Sequence, residues 1–207
     1  MSKQFSRRDF TLVAAALAGS ATPLFADDKK SEEKPKPAGP VEANFVRDYP
    51  APQFKPSWKK PQVNRLLVQD FVIYAHSDLE MTRKLKEKEP AVLNSIIDWG
   101  GGDWESALGA AAHMGRRDIA EYLLAEGARI DIFCSAMLGM LDVVKSFLTL
   151  QPKLIDAKGP HGFTLHFHAQ VGGKQSEPVL DYLQSVKHIE MKPNPFLNMK
   201  KDAPAKK

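Results

Sequence analysis

His161, His166 and His168 fall close together in the segment HGFTLHFH. Clustered imidazoles are side chains that copper or zinc draws on. If Thr164 caps a helix, His166 and His168 stand two positions apart and point about 200° from one another. They share a metal only on a strand, where every second side chain faces the same way. A second candidate is DWGGGDWESA, residues 98–107, in which Trp99 and Trp104 flank three glycines and Asp103. Tryptophan is enriched where proteins bind one another, and glycines allow a tight backbone path. Packing of both indoles inside the fold is the structural alternative.

Other chemistry is scarce. The chain has no GxSxG elbow, HExxH, CxxC or dinucleotide-type glycine run. VGGKQS, residues 171–176, lacks the upstream glycine of a phosphate loop, and Gln175 stands where a magnesium-binding Ser or Thr would be. The expectation is therefore a protein without catalytic residues and without a cofactor. Cys134 is the only cysteine, so no intramolecular disulfide forms, and it reads as a buried small hydrophobe. With 29 Lys+Arg against 25 Asp+Glu, the net charge of +4 leaves no concentrated basic footprint for nucleic acid.

The elements that must position these residues show helical spacing between about Gln62 and Val186. RRDIAEYLLAEGA places Ile119 with Leu123 and Ala120 with Leu124 on one stripe, and Gly127 supplies the left-handed residue that ends the helix. MLDVVKSFL repeats the device through Val143 with Phe147 and Val144 with Leu148. SEPVLDYLQSV does so through Val179 and Leu183, and SDLEMTRKL through Leu79 and Leu85. Short helices on one template, each preceded by a small-residue helix, indicate an internal repeat.

The clearest unit, GDWESALGAAAHMGRRDIAEYLLAEGA at residues 102–128, resembles an ankyrin repeat. Ser106 stands at the family's Thr position, Ala107 at Pro, Leu108 at Leu, Ala111 and Ala112 at the paired alanines. Gly115 stands at the turn glycine and Gly127-Ala128 at the closing pair, while Gly109 replaces the usual His. Ser106 would cap the first helix, and the alanines would let neighbouring units approach. The other units are more degenerate: residues 132–148 lack a hairpin before the inner helix, and residues 159–183 begin close to the pattern but miss its Pro.

The resemblance implies an all-α stack of about three to four repeats, near residues 64–98, 99–131, 132–156 and 157–186. An unrelated bundle of antiparallel helical hairpins is the fallback. It further implies that residues 98–107 form a binding finger, that His113 lines or fills the concave side, and that His166 is a structural histidine between repeats. The protein-binding set is then Trp99, Asp103, Trp104 and His113.

The ends differ from this core. Ser6, Arg7, Arg8 and Phe10 resemble a twin-arginine (Tat) signal, and the uncharged run to Ala26 is marginal for a bilayer span. Cleavage after Ala26, cleavage after Ala21 and an uncleaved anchor all remain open. The resemblance implies a bacterial periplasmic or envelope location, with the Tat translocon as a transient partner. Residues 27–62 read as a Pro-rich linker whose Phe45, Tyr49, Phe54 and Trp58 form an extended strap across the fold. Residues 187–207 read as a basic disordered tail. The functional expectation is an exported, non-catalytic interaction module acting on an unidentified envelope protein. The alternative is a metal-binding or metalloenzyme accessory protein using His161, His166 and His168.

Overall fold

The computed structural model describes residues 42–54, 57, 59–194 and 196. The signal motif, residues 27–41 and Trp58 lie outside these. The described chain is mainly helical, with one two-stranded antiparallel sheet among the described residues.

Side-chain caps set most helix starts. Asn64 accepts the Leu66 N–H at the head of α1 (Arg65–Ala75), and Asp78 accepts that of Met81 at α2 (Leu79–Lys88). A hairpin follows, β1 (Ile96–Asp98) pairing with β2 (Trp104–Ser106) so that Ile97 faces Glu105. Ser106 then accepts the Gly109 N–H and opens α3 (Ala107–His113). Asp131 and Thr164 do the same for α5 (Ile132–Leu138) and α7 (Leu165–Val171). Each such oxygen satisfies a donor the helix cannot satisfy itself. α4 (Arg117–Ala125), α6 (Leu141–Leu150) and α8 (Glu177–Val186) complete the order.

α1, α3, α5 and α7 lie side by side in chain order, and each packs against the helix that follows it. Composition explains who lies inside. Every residue of α3, ALGAAAH, is buried, and its small side chains let α1 and α5 close on either side. The following helices bury one face only: Ile119, Ala120 and Leu123 on α4, Val144 and Leu148 on α6, Val179 and Leu183 on α8. These are residues the four-residue spacing puts on one stripe.

Both ends depart from expectation. The described part of 42–60 carries no helix or strand, and Phe45, Tyr49 and Phe54 are exposed and do not strap the fold. At the other end, the described residues 187–194 and Phe196 are not a frayed tail. Gln184 brackets Ile189 through both its amide groups, Gln170 donates to the Lys192 carbonyl, and Phe196 is buried against Phe163 and Phe167. Charge in the segment suggested solvation, but its apolar residues Ile189 and Phe196 find partners on the last helix pair.

The turn after α5 requires glycine. Gly139 has φ of 76°, and a Cβ there would lie 2.2 Å from the Gln175 carbonyl oxygen. Gly139→Ala is expected to cost about 2 kcal/mol or more, read from the urea midpoint. Gly101→Ala in the hairpin turn, with φ of 68° and nothing near its Cβ, should cost about 1 kcal/mol.

Candidate metal centre

The stack brings equivalent helix ends together. His76 follows the last residue of α1 and His113 closes α3; the helices are neighbours, so the two rings meet edge to face with centroids 5.0 Å apart. His76 Nδ1 donates to the Val72 carbonyl at 2.9 Å, which leaves the lone pair on Nε2.

The hairpin delivers the carboxylate. Side chains alternate along β2, so Trp104 points out, 57% exposed, while Glu105 points in and is fully buried. The turn before it is wound by Asp98, whose Oδ1 accepts the N–H groups of Gly100 and Gly102. Asp103 follows and grips a fourth element, the short 3₁₀ turn Pro160–Gly162. One oxygen accepts the His161 backbone N–H and the other its Nδ1–H, each at 2.8 Å. His161 has φ of 58°, the left-handed region that side chains usually avoid.

Four potential ligands thus converge, their donor atoms all within 4.8 Å of one another. The Glu105 carboxylate stands 3.0 Å from His113 Nδ1, 3.4 Å from His76 Nε2 and 3.6 Å from His161 Nε2. Bonds of zinc to nitrogen and oxygen near 2.0–2.1 Å place tetrahedral ligands about 3.4 Å apart. Although His113 Nδ1 and Glu105 Oε1 lie 3.0 Å apart, neither has an aligned hydrogen-bond partner. Their lone pairs are not directed at each other, which suits two atoms aimed at a shared third point. Trp99 Nε1–H donates to Glu105 Oε2 at 2.6 Å and fixes the carboxylate plane. Phe163 and Phe196 pack on the His113 ring.

Burial alone would raise the Glu105 carboxyl, but the nearby imidazoles of His113, His161 and His76 outweigh it and hold the group well below the usual carboxylate range. Burial lowers His113, against the pull of Glu105. Burial also pushes His161 down, yet Glu105 and Asp103 together raise it above the ordinary imidazole value. A buried anion faced by imidazoles calls for a cation, either a proton on one ring or a metal ion shared by all.

Of the three histidines read in the sequence as a metal set, His161 alone joins the cluster. His166 donates from Nε2 to the Lys187 carbonyl, and His168 from Nδ1 to the Thr164 carbonyl. Both sit on α7, where residues two apart diverge, so the three do not form one ligand set. Trp99, Asp103 and His113, assigned to a partner surface, are turned into the site instead, and Trp104 alone remains on the surface. The sequence reading missed His76 and Glu105. A signal existed: Ala-His stands at the end of both α1 and α3, and the ends of helices packed side by side are neighbours in space.

No protein-family model, no curated protein and no solved structure matches the chain. Among the described residues no helix is long and apolar enough to cross a membrane.

Two further groups behave as burial dictates. The His168 ring is fully buried, which pushes it down to about 3. The native state therefore leaves it neutral where the unfolded chain, near 6.5, binds a proton. The stability this contributes is intact above about pH 6.5 and falls toward pH 3 at about 1.4 kcal/mol per unit. His168→Leu should remove one proton from the acid limb of a stability–pH curve. The Thr164 carbonyl would still accept the residue 168 backbone N–H. Burial, with Asp131 nearby, pushes the Cys134 thiol up to about 12. Native protein should resist alkylation at pH 8, and urea-unfolded protein should react fully.

Proposed function

We propose that the protein binds one divalent transition-metal ion through His76, Glu105, His113 and His161. The observation that carries this reading is the convergence of three imidazoles on one buried carboxylate, with the outer nitrogens of His76 and His161 already hydrogen-bonded. Histidine ligands in metal sites characteristically donate their second N–H in this way, to a backbone carbonyl or a carboxylate. Three nitrogens and one oxygen suit zinc and its first-row neighbours; the thiolate that would favour copper(I) is missing from the set. The ligands come from α1, β2, α3 and the turn before α7, so the ion would staple separate units, and binding energy would become folding energy. On this reading the helix pairs form an ankyrin-like stack that serves as scaffold, and the Tat-like signal would deliver it folded to the bacterial envelope.

A second reading, a module that binds an envelope protein, is favoured by one feature. Trp104 and Ile96 are both more than half exposed on the outer face of the hairpin, an apolar pair of the kind partners cover. The two readings are compatible, since the metal side chains lie on the opposite face of the same strands.

Chelator-stripped protein dialysed against zinc or cobalt(II) should retain one ion per chain by elemental analysis. His113→Ala should weaken binding by roughly 100-fold or more, while His166→Ala should leave it unchanged. Retention that ignores His113→Ala, or no retention by the wild-type chain, overturns the reading.

A further inference from the structure

Among the four converging side chains one differs in its setting. His161 is 21% exposed, whereas His76, Glu105 and His113 are at most 7% exposed. The other three are carried by a helix end, a strand and a helix, elements held on several sides. His161 sits at the tip of a small turn whose base is closed by the Lys158–Thr164 bridge and by the Gly159 N–H on the Phe163 carbonyl. Its left-handed backbone is a conformation that needs outside support. Asp103 supplies that support at two points, backbone and ring, from the neighbouring hairpin.

Resting on the reading of the cluster as a metal centre, we infer that Asp103 is its positioning residue: it holds His161 as the exchangeable ligand through which the ion enters and leaves. The two hydrogen bonds do separate jobs. The backbone bond keeps the turn in its left-handed form, and the ring bond orients the imidazole so that Nε2 faces the other three donors. Losing the carboxylate frees the turn to relax, and His161 swings toward solvent while the buried triad of His76, Glu105 and His113 stays in place. The ion then sits on three ligands beside an open edge. A carboxylate hydrogen-bonded to a ligating imidazole also makes it the better donor.

The test is the rate at which a chromogenic chelator removes zinc from the loaded full chain, together with the visible spectrum of the cobalt(II) form. In Asp103→Asn one acceptor oxygen is replaced by an amide that cannot accept, and zinc should leave about 10- to 100-fold faster. The cobalt bands should weaken as four-coordination gives way to water-filled, higher coordination. Asp103→Glu retains both acceptors on a longer arm and should fall between the two, which keeps the inference testable if the Asn variant folds poorly. Trp104→Ala, on the outward face of the strand that Asp103 leads into, should leave rate and spectrum unchanged. Dissociation within twofold of wild type in both Asp103 variants overturns the inference while leaving the metal centre standing. Equal acceleration by Trp104→Ala also overturns it, since general loosening of the hairpin would then be the cause. If the wild-type chain takes up neither zinc nor cobalt, the metal reading itself fails, and this inference with it.

Discussion

An ionised carboxylate with no access to water is the constraint around which the centre of this molecule is arranged. Glu105 is fully buried, and a buried anion is tolerated only where opposite charge and hydrogen-bond donors surround it. Here the compensation comes from an indole and three imidazoles rather than from lysine or arginine. Indole supplies a donor without a charge, and imidazole can be neutral, protonated or a metal ligand, so the site is built from groups whose charge depends on what occupies it. Every surrounding element contributes to keeping that arrangement in register. Asp98 winds the hairpin turn, Trp99 fixes the carboxylate, and Phe163 and Phe196 close over His113.

The helical layers make this possible because they are regular. α1 and α3 run alongside each other, α3 contributing a run of small residues, so the histidines at their ends meet without any loop having to carry them. A hairpin between α2 and α3 then reaches the same point from the side, and the turn before α7 reaches it from further along the chain. The second half of the stack has its own core, with Ile132, Ala136, Val144, Leu148, Leu165 and Val179 among its members. The centre lies instead with the first half, where Phe196 packs against the His113 ring. A segment whose charge suggested a solvated tail thus contributes an aromatic wall.

Much of the scaffold was legible in the chain. Ser106 and Thr164 cap the helices that their hydroxyls and positions suggest, Gly115 and Gly127 take positive φ at the turns, and four-residue apolar spacing marks the buried faces of α4, α6 and α8. These features depend on neighbours within a few residues, where backbone geometry leaves few alternatives. The divergence of His166 and His168 followed from helical periodicity for the same reason.

The site was decided by tertiary structure. His76, Glu105, His113 and His161 come from four elements with no common local motif, and His161 next to His166 and His168 looked like a member of a different set. Trp99, Asp103 and His113 carry side chains that fit a partner surface equally well until the pleat of β2 and the stacking of α1 on α3 turn them inward. Sequence by itself determined the helical character of the chain, the caps at Ser106 and Thr164 and the buried faces of α4, α6 and α8, because each depends on short-range sterics and hydrogen bonding. Which histidines meet depends on the register between stacked units and on the reach of two turns, and those are fixed only when the whole core packs.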